Sequence, residues 1–443
     1  MKIGGDRASI GRLLVHGAGV SIGVRVIGIA LSYAANVLLS RTLGVEAFGE
    51  YVIALSWALT LTLPAKAGFD NSALRYSTIY LERGDFASFR GFVRTAAAAI
   101  AIVSLAITAV IGFAGGQFMP VGAATRAWAA LLVLPLALLT FFSVVMRTAH
   151  RIVSSQFYEQ ILRPALIILG IGVVFFEGLR LKPATAMGLT VFASAAALLA
   201  LLVEMQRTFR AARIHQPRYQ EWREWLTVSA PMLLMGVVQE LTNQIDIILL
   251  GQMADARAAA VFAASWRLAS LVPFALVGLA TLGAPLIAAA YERRSSAELH
   301  RVSSIVARLS FVFALLSALV LYIFARPLLG LFGPGFASGD RVLAILLLGG
   351  VVNAFTGLVS YFATMTGRER QALVIFAGAL VVSIGLNIIL IPRFGAVGAA
   401  VASSSATIAW NIALLVYVRR TIGIDASALA LSPRRQMMTP EAV

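Results

Sequence analysis

Cysteine is absent from the sequence, so no disulfide and no thiolate metal site can form. Histidine occurs only four times, and no two of the four are spaced as paired metal ligands. Lysine is nearly missing too, with 3 against 33 arginines. One arginine per loop serves topology as well as one lysine, so the imbalance reads as compositional bias. Charged residues make up 13% of the chain, about half their share in an ordinary soluble domain. No GxxxxGK[ST] loop is present, so ATP hydrolysis through that motif is excluded and no cofactor is implied. No outer connection is long enough to house a sugar-transfer site or an acidic pair, which weighs against an enzyme.

What fills the chain instead is apolar. Apolar residues account for 60% of it and the mean hydropathy is +0.88. A membrane-spanning helix needs about 20 mostly apolar residues, and the pattern supplies twelve: 13–39, 48–66, 93–113, 127–147, 160–177, 184–205, 226–252, 260–290, 305–330, 341–365, 371–391 and 396–418. All are expected to be helices, because lipid offers no partner for an unpaired backbone group. The first stretch, Leu13 to Leu39, is far longer than a signal-peptide core of about 7–15 residues and should remain as a span.

The net charge of +16 does not point to nucleic acid, because the arginines fall in short clusters between apolar stretches. They set orientation instead. With the N-terminus in the cytoplasm, 26 lysines and arginines fall in cytoplasmic segments and 8 in outer ones. This favours an even number of spans with both termini cytoplasmic.

The chain also looks duplicated. Ala54-Leu55-Ser56-Trp57 recurs as Ala263-Ala264-Ser265-Trp266, and Leu201-Leu202-Val203 with Arg207-Thr208 recurs as Leu414-Leu415-Val416 with Arg420-Thr421. Two parallel six-helix halves follow: an N-terminal lobe at 1–205, a basic cytoplasmic linker at 206–225, a C-terminal lobe at 226–418 and a disordered cytoplasmic tail at 419–443. The linker carries Arg207, Arg210, Arg213, Arg218 and Arg223 beside Trp222 and Trp225. It reads either as a topology-setting loop or as a segment lying on anionic headgroups.

Charge inside a span is the informative signal, since each costs about 2.5–3.5 kcal/mol at its centre. Arg25 lies about 12 residues into the first span, roughly 15 Å deep. With Ser21, Ser32 and Asn36 it forms a polar stripe that lines a wet cavity or bonds neighbouring helices. Span 7 carries Gln239, Glu240, Asn243, Gln244 and Asp246. Glu240, Asn243 and Asp246 are candidates for a proton or sodium site or for gating, with a charge partnership between Glu240 and Arg25 as one option. Arg267 either faces the cavity or snorkels to the surface. Asn353, Thr356, Ser360 and Thr364 share a face of span 10, and Ser404, Thr407 and Asn411 share one of span 12. Such stripes suit sugar hydroxyls and equally suit helix packing. Pro135, Pro231, Pro273 and Pro285 are candidate bends.

Several stretches resemble the polysaccharide-type lipid-linked oligosaccharide flippases of the multidrug/oligosaccharidyl-lipid/polysaccharide exporter superfamily. They are Asn36-Val37-Leu38-Leu39-Ser40-Arg41-Thr42-Leu43-Gly44 followed by Phe48-Gly49-Glu50-Tyr51, Ala67-Gly68-Phe69 through Arg75-Tyr76, Asp246-Ile247-Ile248-Leu249-Leu250-Gly251, Thr366-Gly367-Arg368, and Asn387 through Pro392 with Gly395-Ala396-Val397-Gly398-Ala399-Ala400. The resemblance implies an all-α polytopic membrane protein, with two six-helix lobes around a central cavity that opens to each face in turn. It implies a flippase moving an oligosaccharide on a polyprenyl diphosphate to the outer leaflet of a bacterial inner membrane, for surface polysaccharide or exopolysaccharide assembly. Membrane lipids, a polysaccharide polymerase and glycosyltransferases would be its partners. Arg25 and Arg267, with Ser32, Asn36, Asn353, Thr356 and Ser360, would line the substrate cavity. The alternatives are an ion-coupled drug or organic-cation antiporter of the same superfamily and a polytopic polymerase or glycosyltransferase.

Overall fold

The computed structural model describes residues 7–149, 151–293 and 295–430, and every regular element among them is helical. The helices are α1 (Arg7–Leu43), α2 (Val45–Lys66), α3 (Phe69–Glu82), α4 (Phe86–Phe118), α5 (Ala123–Thr148), α6 (Ile152–Gln156), α7 (Arg163–Phe176), α8 (Pro183–Thr208), α9 (Trp222–Met253), α10 (Ala256–Ala269), α11 (Phe274–Glu292), α12 (Ser296–Ile323), α13 (Ala325–Gly330), α14 (Asp340–Thr356), α15 (Val359–Met365) and α16 (Glu369–Thr421). A π turn, Phe157–Leu162, joins α6 to α7.

The chain is a multi-pass membrane protein with a twelve-helix fold. Among the described residues nine helices are long and apolar enough to cross a membrane. One of them, α16, holds two spans, since Gly395 breaks its helical geometry at φ 53° three residues after Pro392. The other two spans are α9 and the pair α10–α11.

Several spans expected to be continuous are broken, each at an identifiable residue. Span 8 is cut between Ala269 and Phe274, where Pro273 sits at the N-cap of α11. Span 10 is cut at Gly357, whose φ of 68° few other residues adopt. Span 5 starts earlier than expected, at Ile152, and passes through the π turn. The connection after span 2 contains α3, entered through Ala67 and Gly68, both left-handed.

The first compact unit is Met1–Glu240. The polar segment 206–225 lies wholly inside it, pinned to the start of α4. The Arg218 amide donates to the Ala87 carbonyl at 3.0 Å, and Arg90 donates to the His215 carbonyl at 2.7 Å. The fit leaves no room for a side chain at Gly91, where a Cβ would lie 1.7 Å from the Arg218 oxygen. Trp225, expected at the membrane interface with Trp222, is instead fully buried against Phe92 and Tyr80. Its indole N–H donates to the Tyr80 hydroxyl at 2.9 Å, so the ring packs as core without an unpaired polar group. Tyr76 donates to Glu224 at 3.0 Å and Tyr80 donates to Glu221, which fastens the start of α9 to α3. Burial and the Glu224 carboxylate push the Tyr76 hydroxyl up to about 12, so it stays a donor at neutral pH.

The second unit is Leu241–Val443. Its core joins α11, α12, α15 and α16 through Ile287, Leu299, Leu358, Phe362 and Leu414. The chain beyond α16, expected to be disordered from residue 419, turns back at Gly423 (φ 75°) and packs into this core. Ile424, Ala426, Ser427 and Ala430 are buried. The Ala428 amide donates to the Phe355 carbonyl at 2.9 Å, beside the break in span 10. Arg308 donates to the Ala428 and Ala430 carbonyls at 3.2 and 2.8 Å. Residues 431–443 of the expected tail lie outside the described residues.

Candidate functional site

Arg25, Ser32 and Asn36 lie on α1 in the first unit. Gly28, Ala35 and Leu39 are the buried edge of that helix, and at 100° per residue the polar stripe runs beside it. Asn36 donates back to the Ser32 carbonyl at 2.7 Å, so its amide is partly spent on its own helix. Arg25 is exposed and makes no hydrogen bond or ion pair with any described residue. The expected pairing of Arg25 with Glu240 therefore does not form. Glu240 is the last residue of the first unit, half-buried and engaged elsewhere.

Asp246 is the buried carboxylate of the second unit, at 2% exposure. It sits near the end of α9 against both halves of α16. The Asn387 amide donates to its Oδ1 at 2.7 Å, and the Ser403 side chain lies beside the same carboxylate. Asn387 also donates to the Ser383 carbonyl at 3.0 Å, which fixes the orientation of the amide. That orientation leaves the Asn387 Oδ1 buried with no donor. The Asp246 carboxylate is thus buried on the nitrogen side of an amide whose oxygen is unfilled among the described residues, and a buried carboxylate suits a proton or a small cation. Sequence reasoning placed Asp246 in the polar cluster of span 7, as a shallower carboxylate than Glu240. It missed Asn387, Ser383 and Ser403 as partners, although Asn387 opens a stretch the resemblance had marked.

The remaining candidates of the second unit divide. Asn243 is exposed. Arg267 is half-buried in the last turn of α10 and engaged. Asn353 and Ser360 are half-buried on either side of the Gly357 break. Thr356 is buried and donates to Asn411 Oδ1, while Ser404 donates to the Ile345 carbonyl at 2.8 Å. Those hydroxyls join α14 to α16. Among the described residues no group of three or more His, Cys, Asp or Glu could hold a metal ion.

Comparison with known proteins gives two sequence families. The family described as polysaccharide biosynthesis protein matches residues 14–281, and the family described as MatE matches residues 231–389. No curated protein matches the chain in sequence. Solved structures share the fold at low identity. An inward-facing multidrug resistance MATE family transporter of the MOP superfamily is 15% identical, with a TM-score of 0.73 over 92% of this chain and 98% of that one. The lipid II flippase MurJ in an inward closed conformation is 15% identical, with a TM-score of 0.70 over 91% and 87%. A MOP superfamily transporter from Pyrococcus furiosus, described by the reverse polarity of its binding pocket, is 16% identical, with a TM-score of 0.60 over 92% and 94%.

Proposed function

The chain belongs to the polysaccharide biosynthesis protein family, and from that membership we propose that it is a flippase for a polyprenyl-diphosphate-linked oligosaccharide. It carries the polar head from the cytoplasmic to the outer leaflet by alternating access, without changing the molecule chemically. Arg25, which pairs with no described residue, carries this reading. A guanidinium with no protein partner inside a span is costly unless something else supplies negative charge. A diphosphate does so through short charge-assisted bonds, while its lipid tail stays in the bilayer. Ser32 and Asn36 continue the polar track along α1.

The cluster of Asp246, Asn387 and Ser403 serves as the coupling site, taking up a proton or a sodium ion. Its buried carboxylate is the group that takes up the cation. The match of residues 231–389 to MatE favours, as a second reading, a drug or organic-cation antiporter. Arg25 argues against that, because a positive group repels a cationic cargo.

Depletion of the protein, followed by leaflet-resolved analysis of lipid-linked oligosaccharide, tests the proposal. Intact units should accumulate on the cytoplasmic side while surface polysaccharide falls. Units that still reach the outer side unpolymerised would overturn it. Unchanged pools with increased drug susceptibility would favour the antiporter.

A further inference from the structure

The π turn Phe157–Leu162 has no part in the reading above. A single wide turn inside an α-helix admits an extra residue and is frequent at functional sites. This one packs along α1 and approaches it closely at Gly28. A Cβ at Gly28 would stand 2.7 Å from the Gln160 Cβ and 2.8 Å from the Gln160 oxygen. Glycine at 28 is therefore what lets the turn touch α1 with residue 160. The turn is held from its other side by Tyr158, which donates to Glu204 of α8 at 2.6 Å.

The register of this contact is informative. Arg25 lies three residues before Gly28 and Ser32 four residues after it, so both flank the contact on neighbouring turns of one helix face. Residue 160 thus meets α1 beside the polar stripe, at a level between Arg25 and Ser32. Its side chain is half-buried, and neither its amide nor the Arg25 guanidinium is hydrogen-bonded to a described residue.

We propose that Gln160 is a head-group ligand, delivered by the π turn to bind, beside Arg25, an anionic oxygen of a polyprenyl diphosphate. The amide N–H donates to that oxygen, and Arg25 supplies the charge. Glutamine suits the position because it offers donors without adding a negative charge. The inference rests on the flippase reading and deepens it by naming a ligand that α1 alone does not contain.

The test uses the full chain in lipid nanodiscs, with polyprenyl diphosphate and the polyprenol of equal length as probes. The wild type should prefer the diphosphate. Gln160→Met keeps the length of the side chain and removes its donors; it should cut that preference about tenfold, with affinity for the polyprenol and the thermal unfolding midpoint unchanged. Gln160→Glu places a carboxylate beside Arg25 and should abolish the preference. If both variants keep the wild-type preference, Gln160 is a packing residue and the inference fails while the flippase reading stands. If the wild type shows no preference, the flippase reading fails and this inference falls with it.

Discussion

A guanidinium is defined by what it pairs with, and Arg25 pairs with no described residue. Arg25→Ala should abolish export at normal protein level, and Arg25→Lys should restore part of it, because a lysine keeps the charge but loses bidentate geometry. Normal export by a well-expressed Arg25→Ala would remove the residue from the mechanism. Asp246→Asn should leave a folded protein whose transport no longer responds to pH or sodium, since the cluster keeps its hydrogen bonds and loses its charge. A flux assay in proteoliposomes with imposed gradients reads this directly. Asp85 shows the same residue type in an ordinary structural role. It caps α4 by accepting from the Ser88 amide at 3.1 Å, and that bond holds its carboxyl below the usual 3.8. A carboxyl lowered on folding stabilises above its unfolded value, and the contribution disappears as pH falls through the folded one. Asp85→Ala should therefore cost about 1 kcal/mol near neutral pH. The difference from wild type should vanish in thermal melts taken well below pH 3.8. Asp246 was legible in the sequence as one of two carboxylates in the polar cluster of span 7, with Glu240 the deeper of the two. Its partners were not, because Asn387 lies 141 positions away and no local pattern joins them.

At the scale of elements, hydropathy sees length and apolarity, and so it located the spans. It does not see where a span is cut. The breaks at Pro273 and Gly357 depend on single backbone conformations. The π turn depends on an extra residue that leaves the hydrophobic pattern intact. Trp225 misleads for a related reason: a tryptophan in an arginine-rich segment suits an interface, and only the contact with Tyr80 and Phe92 makes it core. Two elements that sequence treated as loose are in fact fastened. Gly91→Ala should tear the 206–225 segment from α4, because the new Cβ meets a backbone oxygen that cannot swing aside. A loss of about 1–3 kcal/mol follows from such overpacking, read as a lower unfolding midpoint. Truncation after Gly423 should likewise lower the midpoint. It removes the buried Ile424 and the bond from Ala428 to Phe355, and leaves Arg308 without its two carbonyls. A truncated chain as stable as the full one would show that residues 424–430 only rest on the core.

For the whole molecule, the decisive quantity is the parity of the span count. The charge alternation needs an even number, with the arginine-rich segments on one side. The twelve-helix fold meets that need, but only because α16 counts twice and the α10–α11 pair counts once. The absence of cysteine makes the question directly measurable, since any introduced thiol is the only one in the chain. Gln216 lies exposed in the basic segment of the first unit, and Ser338 lies exposed in the connection before α14. A membrane-impermeant thiol reagent applied to intact cells should label Ser338→Cys and spare Gln216→Cys until the membrane is opened. Cysteines at Gly84 and Gly367, in the connections after α3 and α15, should behave like position 216, and one at Ala254 like position 338. Labelling of position 216 from outside would invert the chain and place the Arg25 end of α1 on the wrong side to receive a lipid-linked substrate from the cytoplasm. Labelling of 84 and 367 from opposite sides would break the even count, and the alternating-access reading would then lose the two equivalent lobes on which it depends.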